Sequence, residues 1–424
     1  MSKRADGAGA AQDGAVQSST VQNDTVLYRA DWHAARRLAY RLPSALGAET
    51  VPLAEAIGRR SANGITALCD VPHYASSAMD GWAVAGDAPW RLVESGPLQS
   101  GEATRIVTGG LIPAGARAVL RSENGIANER VLERGPEASA GEPVDGMHIR
   151  PPGEEARRGE QVSPAGIVLN PAHIAVAAVC GNDTLEVVQQ VQVCLILTGD
   201  EVVTEGIPAP GRVRDSFGPQ LPALLAMFGA VVGSKQRLPD RLDALVDALS
   251  GTCPSTADSR LVVTTGGTGR SDADHLHQAL NRVGARILID GIAMRPGGPS
   301  LLAVLPDGRY LLGLPGNPLA AMMGLFTLLP PLLAGLLGGP EPTLEHVTAG
   351  RALADGRGRT RLIPYLLEHG RAVPTGWHGS GMLRGLADAD GVLVCPSSGA
   401  SAADTLEAIN LPWAVERRTT EPAM

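Results

Sequence analysis

At 424 residues the chain is too long for one ordinary hydrophobic core and implies two to four domains. Lys and Arg total 36 against 44 Asp and Glu, a net charge of −8, so no basic surface advertises a nucleic-acid partner. Five scattered cysteines (Cys69, Cys180, Cys194, Cys253 and Cys395) form no CxxC, and the N-terminus lacks a signal-peptide core; both exclude a disulfide-stapled secreted protein and predict a cytoplasmic one.

In chain order, residues 1–29, rich in Ala, Gly, Gln and Ser, read as a disordered tail. Trp32, Ala35, Leu38, Ala39 and Leu42 then recur at helical spacing, and Val51–Ile57 predicts a second short helix. Between residues 67 and 148 the texture turns to short β segments divided by Gly and Pro: Trp82–Val84, Thr104–Val107 and Ala118–Leu120. Helical and mixed character returns, with Pro171–Cys180 the best helix. The pattern predicts a discontinuous linker domain, 30–66 with 149–190, interrupted by an inserted β-rich domain at 67–148.

From Val191 the chain alternates as a wound α/β domain over 191–340. Strands are predicted at Val191–Leu197, Leu261–Thr265 and Tyr310–Leu314, and helices at Pro219–Phe228, Leu242–Leu249, Asp272–Val283 and Leu319–Leu337. Residues 341–416 become β-like again, at Arg361–Leu366, Ala372–Pro374, Gly391–Cys395 and Thr405–Ile409. The fold class is therefore multidomain α/β: a wound α/β domain, a β-rich insert, a helical and mixed linker, and a C-terminal β-barrel-like domain. The stretch Leu311–Pro340 holds no charge and is long enough to span a bilayer. Pro315, Pro318, Pro330 and Pro331 interrupt it, Asn317 lies within it, and no basic flank anchors it, so it reads as a strand and a buried core helix, with no membrane partner.

Two strand–turn–helix units stand out. The strand ending at Thr265 breaks into Gly266-Gly267-Thr268-Gly269, and the strand ending at Leu314 breaks into Pro315-Gly316-Asn317-Pro318. Such turns set backbone N–H groups and helix N-termini at one sheet edge, where α/β proteins hold anions. Asn317 suits a helix cap with Pro318 in the first turn. Ser271-x-x-Asp274 fits a capping box, and equally a carboxylate beside an anion site that holds a cation such as Mg²⁺. Asp200 and Glu201 follow a strand at the same edge; Asp240, in Leu238-Pro-Asp240, suits a helix cap or a further acid. His275 and His277 project about 200° apart on a helix and make no metal pair.

The string Asp70–Val84, reading Asp-Val-Pro-His-Tyr-Ala-Ser-Ser-Ala-Met-Asp-Gly-Trp-Ala-Val, resembles the signature of the molybdopterin molybdenumtransferases, the family that includes the C-terminal domain of gephyrin. Further similar motifs follow in family order: Thr108-Gly109-Gly110 with Pro113 and Gly115, Pro152–Glu155, Leu197–Glu201, Thr264–Asp274, Met294–Pro299 and Gly313–Pro318. The resemblance spans roughly residues 30–415. It implies four domains and an elongated homodimer, with the active site between the α/β domain of one subunit and the insert of the other. The implied reaction inserts molybdate into adenylylated molybdopterin with release of AMP, in the presence of Mg²⁺. By the same resemblance Asp80, Glu201 and Asp274 are the catalytic acids, and Glu201, Asp274 and Asp240 the metal ligands. Ser77, Thr108, Thr198, Gly266, Gly267, Arg270, Arg295, Pro315, Gly316, Asn317 and Pro318 fall to substrate binding. A molybdopterin adenylyltransferase or a molybdoenzyme is the implied protein partner.

Three positions depart from that pattern. The family's Gly-Gly-Val-Ser-Val-Gly loop is Gly266-Gly-Thr-Gly-Arg270-Ser271, its Lys-Pro-Gly-Lys-Pro is Arg295-Pro-Gly-Gly298-Pro, and Phe217 stands where an asparagine is usual. A lost charge-assisted hydrogen bond removes about 1.5–3 kcal/mol, and Arg270 is the expected replacement for the charge missing at Gly298. Two readings stay open: a transferase, or a paralogue that binds and delivers a molybdopterin species without efficient metal insertion.

Overall fold

A computed structural model describes residues 26–250, 259–269 and 275–414. Cys253, Arg270, Ser271, Asp274 and the N-terminal tail up to residue 25 lie outside the described residues. The centre is a seven-stranded sheet built from β1 (Leu27–Ala30), β2 (Val191–Thr198), β3 (Ala230–Leu238), β4 (Leu261–Thr265), β5 (Arg286–Ile292), β6 (Leu301–Val304) and β7 (Tyr310–Leu314). Its order is β1-β5-β6-β7-β4-β2-β3, in which β7, β4, β2 and β3 run parallel and β6 is antiparallel to both neighbours.

Strand alternation assigns each side chain to a layer. Val193, Leu195 and Leu197 of β2 face one core cluster, while Cys194 and Ile196 face the other. The first face is covered by α1 (Trp32–Arg41), α2 (Phe217–Met227) and α5 (Pro318–Leu336). The second is covered by α3 (Leu242–Leu249) and α4 (Leu276–Val283). Because β3 and β4 flank β2 on opposite sides, the winding direction reverses at β2, and the crevice there opens at the carboxyl ends of the strands. The uncharged run thus resolves as β7 and α5; the helix continues through Pro330 and Pro331 with most of its side chains buried.

The remaining units hang on this sheet. Residues 48–66 and 161–188 pair across the insertion (Ala48–Pro52 with Thr184–Val188, Ile65–Thr66 with Gln161–Ser163) around Val51, Ile65, Leu169, Ala177 and Leu185. The insert is a six-stranded sheet that includes Gly81–Ala85 and Glu102–Ile106, with Ala118–Arg121 at one edge. Toward the C-terminus, Glu345–Thr348, Thr405–Asn410, Gly391–Cys395, Thr360–Glu368 and Arg371–Pro374 pair in that order, and Ala349 bridges to Ala372, so the sheet nearly closes into a barrel.

Two sequence expectations need correcting. Val51 and Pro52 end a strand and the helix after it is confined to Leu53–Ala56, because strand pairing with Thr184–Val188 claims both residues. Residues 27–29, read from sequence as the end of a disordered tail, and 30–42, grouped with the linker, belong to the α/β layer. Strand β1 pairs parallel with β5, and Trp32 is fully buried with its indole N–H donating to Thr327 Oγ1 of α5 at 3.0 Å.

Candidate active site

Three adjacent parallel strands end at one edge. Thr198 Oγ1 at the end of β2 donates to the Thr265 carbonyl at the end of β4 (2.8 Å), and the Gly266 N–H donates to the Leu314 carbonyl of β7 (2.9 Å). These bonds hold the three following turns in register. Gly266 has φ of +87°, and a Cβ there would stand 2.6 Å from Thr198 Oγ1, so the turn requires glycine. A cleft of about 770 Å³ opens above them, lined among others by Thr198, Glu201, Asp240, Gly266, Gly267, Pro315, Gly316, Asn317 and Pro318. The structure thus gathers nine sequence-predicted residues on one surface.

Asn317 precedes α5 as expected, with Pro318 in the first turn, but its side chain makes no capping hydrogen bond. The amide is left to the cleft, while proline at the first position removes one N–H that would otherwise need a partner. Asp240 is not the cap of α3. Its Oδ2 accepts the N–H of Asp200 (3.0 Å), and Asp200 Oδ1 accepts the N–H of Asp240 (3.3 Å). This reciprocal clasp joins the loops after β2 and β3 and brings Asp240 to the same cleft as Glu201.

Asp80, Ser77 and Thr108 form a separate cluster in the insert and do not line that cleft. The Thr108 N–H and hydroxyl both donate to Asp80 Oδ1, at 2.6 and 2.9 Å. The buried Ser77 anchors the same turn: its N–H donates to the Gly110 carbonyl and its carbonyl accepts from Gly109. The backbone hydrogen bond from Thr108, then its hydroxyl, hold the exposed Asp80 carboxyl below its usual range. A depressed carboxyl stabilises the fold above its unfolded value near ~3.9, and this contribution is lost as pH falls through the folded value. In Thr108→Val the Asp80 midpoint should rise toward the ordinary value in a ¹³C-carboxyl NMR titration; an unmoved midpoint would show that the hydroxyl has no part in it.

Arg295 lies elsewhere. The short strand Met294–Arg295 pairs with Thr360 and Arg361 of the C-terminal domain, and Arg295 lines a second cleft of about 370 Å³ with Asp355, Arg357, Arg361 and His378. Gly298 lines a third, of about 330 Å³, with Arg29, Asp290 and Arg359; that cleft shares Thr268, Gly269 and Pro299 with the first. A Cβ on Gly298 would meet the carbonyls of Met294 and Ile292 at 3.0 and 3.3 Å, so the backbone has closed around the missing side chain. The His277 imidazole pairs with Asp290 at 2.8 Å, a structural contact as expected.

Sequence reasoning missed Asp215 and Arg237. Asp215, with only 8% of its side chain exposed, accepts the N–H groups of Phe217 and Gly218 (both 3.0 Å) at the start of α2 and pairs with Arg237 of β3 (2.5 Å). Both line the 770 Å³ cleft, beside Phe217, which packs half-buried against the core. The available signal was the run Gly211-Arg-Val-Arg-Asp215-Ser-Phe217, in which the aspartate stands two residues before the departure at Phe217. Among the described residues no three acids, histidines or cysteines are grouped as a metal cage. Glu201 and Asp240 still suit Mg²⁺, which takes one or two carboxylates and completes its shell with water and phosphate.

Three family models match in succession: "MoeA N-terminal region (domain I and II)" over residues 30–181, "Probable molybdopterin binding domain" over 194–335, and "MoeA C-terminal region (domain IV)" over 346–407. A molybdopterin molybdenumtransferase of Staphylococcus aureus is 30% identical over 398 residues, covering 86% of this chain and 92% of its own. One from Nostoc sp. is 32% identical over 391 residues, covering 85% and 87%. Among solved structures, a molybdopterin biosynthesis moeA protein from Pyrococcus horikosii superposes with a TM-score of 0.72 at 24% identity, over 91% of this chain and 99% of that one. At that identity the superposition establishes the fold.

Proposed function

The chain belongs to the molybdopterin molybdenumtransferase family, and we propose that it inserts molybdate into adenylylated molybdopterin with release of AMP. The observation that carries this is the cleft at the ends of β2, β4 and β7, where glycine turns and a helix start adjoin two carboxylates. In this reading Gly266, Gly267, Gly316 and Asn317 hold phosphate and adenylate, with the free Asn317 amide as a polar contact. Glu201 and Asp240 hold Mg²⁺, whose charge offsets that of the phosphates when it is bound. Asp274 and Arg270, outside the described residues, keep the roles of third acid and pocket cation. Molybdate and the adenylylated pterin are substrates.

Asp80, Ser77 and Thr108 stand apart from the cleft within one chain, which supports a homodimer in which the insert of one subunit completes the site of the other. The enzyme would work in the cytoplasm. Arg295 serves in the neighbouring cleft toward the C-terminal domain, where an oxyanion approaching the pterin finds Arg357 and Arg361.

Phe217 and Gly298 favour a second reading, a cofactor-binding and delivery protein, since an aromatic ring and a closed glycine turn replace two polar contacts. Complementation separates the two. A strain lacking its own transferase should regain molybdoenzyme activity from this chain. Molybdopterin binding without rescue would leave only the delivery role, and failure to bind it in micromolar titrations would sink both.

A further inference from the structure

We propose that Arg237 is the anchor for the adenylate phosphoryl group, a role that rests on the transferase reading above. Charge in the cleft is unbalanced. Glu201, Asp215 and Asp240 contribute three carboxylates among the described lining residues, against the guanidinium groups of Arg214 and Arg237. A phosphorylated ligand entering this surface needs a cation other than one held by Glu201 and Asp240.

Arg214 is the weaker candidate, being exposed and with its Nη1 donating at 3.4 Å to the Val203 carbonyl. Arg237 is held. It projects from the end of β3, opposite Leu197 of β2, and its Nη2 donates to Asp215 Oδ2. Asp215 is in turn fixed by the two N–H groups at the start of α2, and the absence of a side chain on Gly218 admits it: a Cβ there would lie 2.3 Å from Oδ2.

The consequence is a guanidinium oriented from behind. Asp215 takes one nitrogen, and among the described residues no acceptor takes the others, so the fork stays available to two phosphoryl oxygens. Its carboxylate also spreads its charge over two helix N–H groups, which lessens its hold on the arginine. Asp240 follows three residues after Arg237, in the loop just past the end of β3, and lines the same cleft. An adenylate phosphate between them would meet a guanidinium on one side and a carboxylate-bound cation on the other. Asp215 is then a positioning residue and Arg237 a direct ligand.

Calorimetric titration of the full chain with AMP, and with adenosine in competition, tests this. Arg237→Ala and the more nearly isosteric Arg237→Gln should each weaken AMP at least tenfold and leave adenosine within about twofold. Arg237→Lys should recover only part of the loss, since an ammonium keeps the charge without the fork. Unchanged AMP affinity, or AMP and adenosine weakened alike, would overturn the assignment, the latter marking a merely structural arginine. Should the native chain bind molybdopterin but not AMP, the anchor falls and the transferase reading stands; should it bind neither, both fall.

Discussion

Trp32→Ala should destabilise the α/β domain by about 3–5 kcal/mol, the range for removing a large aromatic side chain from a packed core. Trp32 is fully buried, its N–H is satisfied by Thr327 Oγ1, and Arg36 stacks over its ring at 5.1 Å. Thr327 passes the contact on, donating to the Met323 carbonyl at 2.7 Å, and Arg36 Nη1 reaches the Phe326 and Thr327 carbonyls at 3.4 Å. The truncation therefore leaves a void between α1 and α5 and a Thr327 oxygen that has lost its donor, though its hydroxyl still donates to Met323. Urea denaturation followed by hydrogen exchange in β2 and β7 measures the effect. Exchange in the 48–66 and 161–188 pairs should stay unchanged. A loss under ~1 kcal/mol, or one confined to those pairs, would show that α1 belongs energetically to the linker.

That misassignment shows where sequence reading stops. The spacing of Trp32, Ala35 and Ala39 identifies a helix but carries no address for its partner, and the partner, Thr327, is almost 300 residues away. Strands Leu261–Thr265 and Tyr310–Leu314 were legible to the residue, because buried parallel strands are continuous apolar runs bounded by glycine or proline. The Val51 error has a local cause: Val51-Pro-Leu-Ala-Glu-Ala contains good helix formers, and only the distant Thr184–Val188 strand claims its first two residues.

The site was legible in the same measure. Turn glycines and proline declare themselves by the backbone they permit, so Gly266, Gly267 and Pro315–Pro318 were found. The Asp215–Arg237 pair was not, because an ion pair across 22 residues leaves no periodic mark in a sequence. The same limit applied to Asp240, whose clasp with Asp200 looks from sequence like a helix cap.

Asp80→Asn and Glu201→Gln should each lower turnover on the order of a hundredfold or more, the scale on which removing a charged group from a transition-state site is felt. The informative result comes from mixing them. Asp80 stands in the insert, outside the cleft that Glu201 lines, with its carboxylate held by Thr108. If a two-fold dimer joins one subunit's insert to the other's cleft, a heterodimer of the two variants holds one site with both substitutions and one with neither. An equal mixture, dissociated and reassociated at random, contains about half heterodimers and should recover about a quarter of native turnover. Either variant reassociated alone should recover nothing. Were Asp80 and Glu201 to act within one chain, every site in the mixture would keep one substitution and turnover would stay at the level of the single variants. Molybdate-dependent AMP release per milligram of mixed protein reads the difference directly.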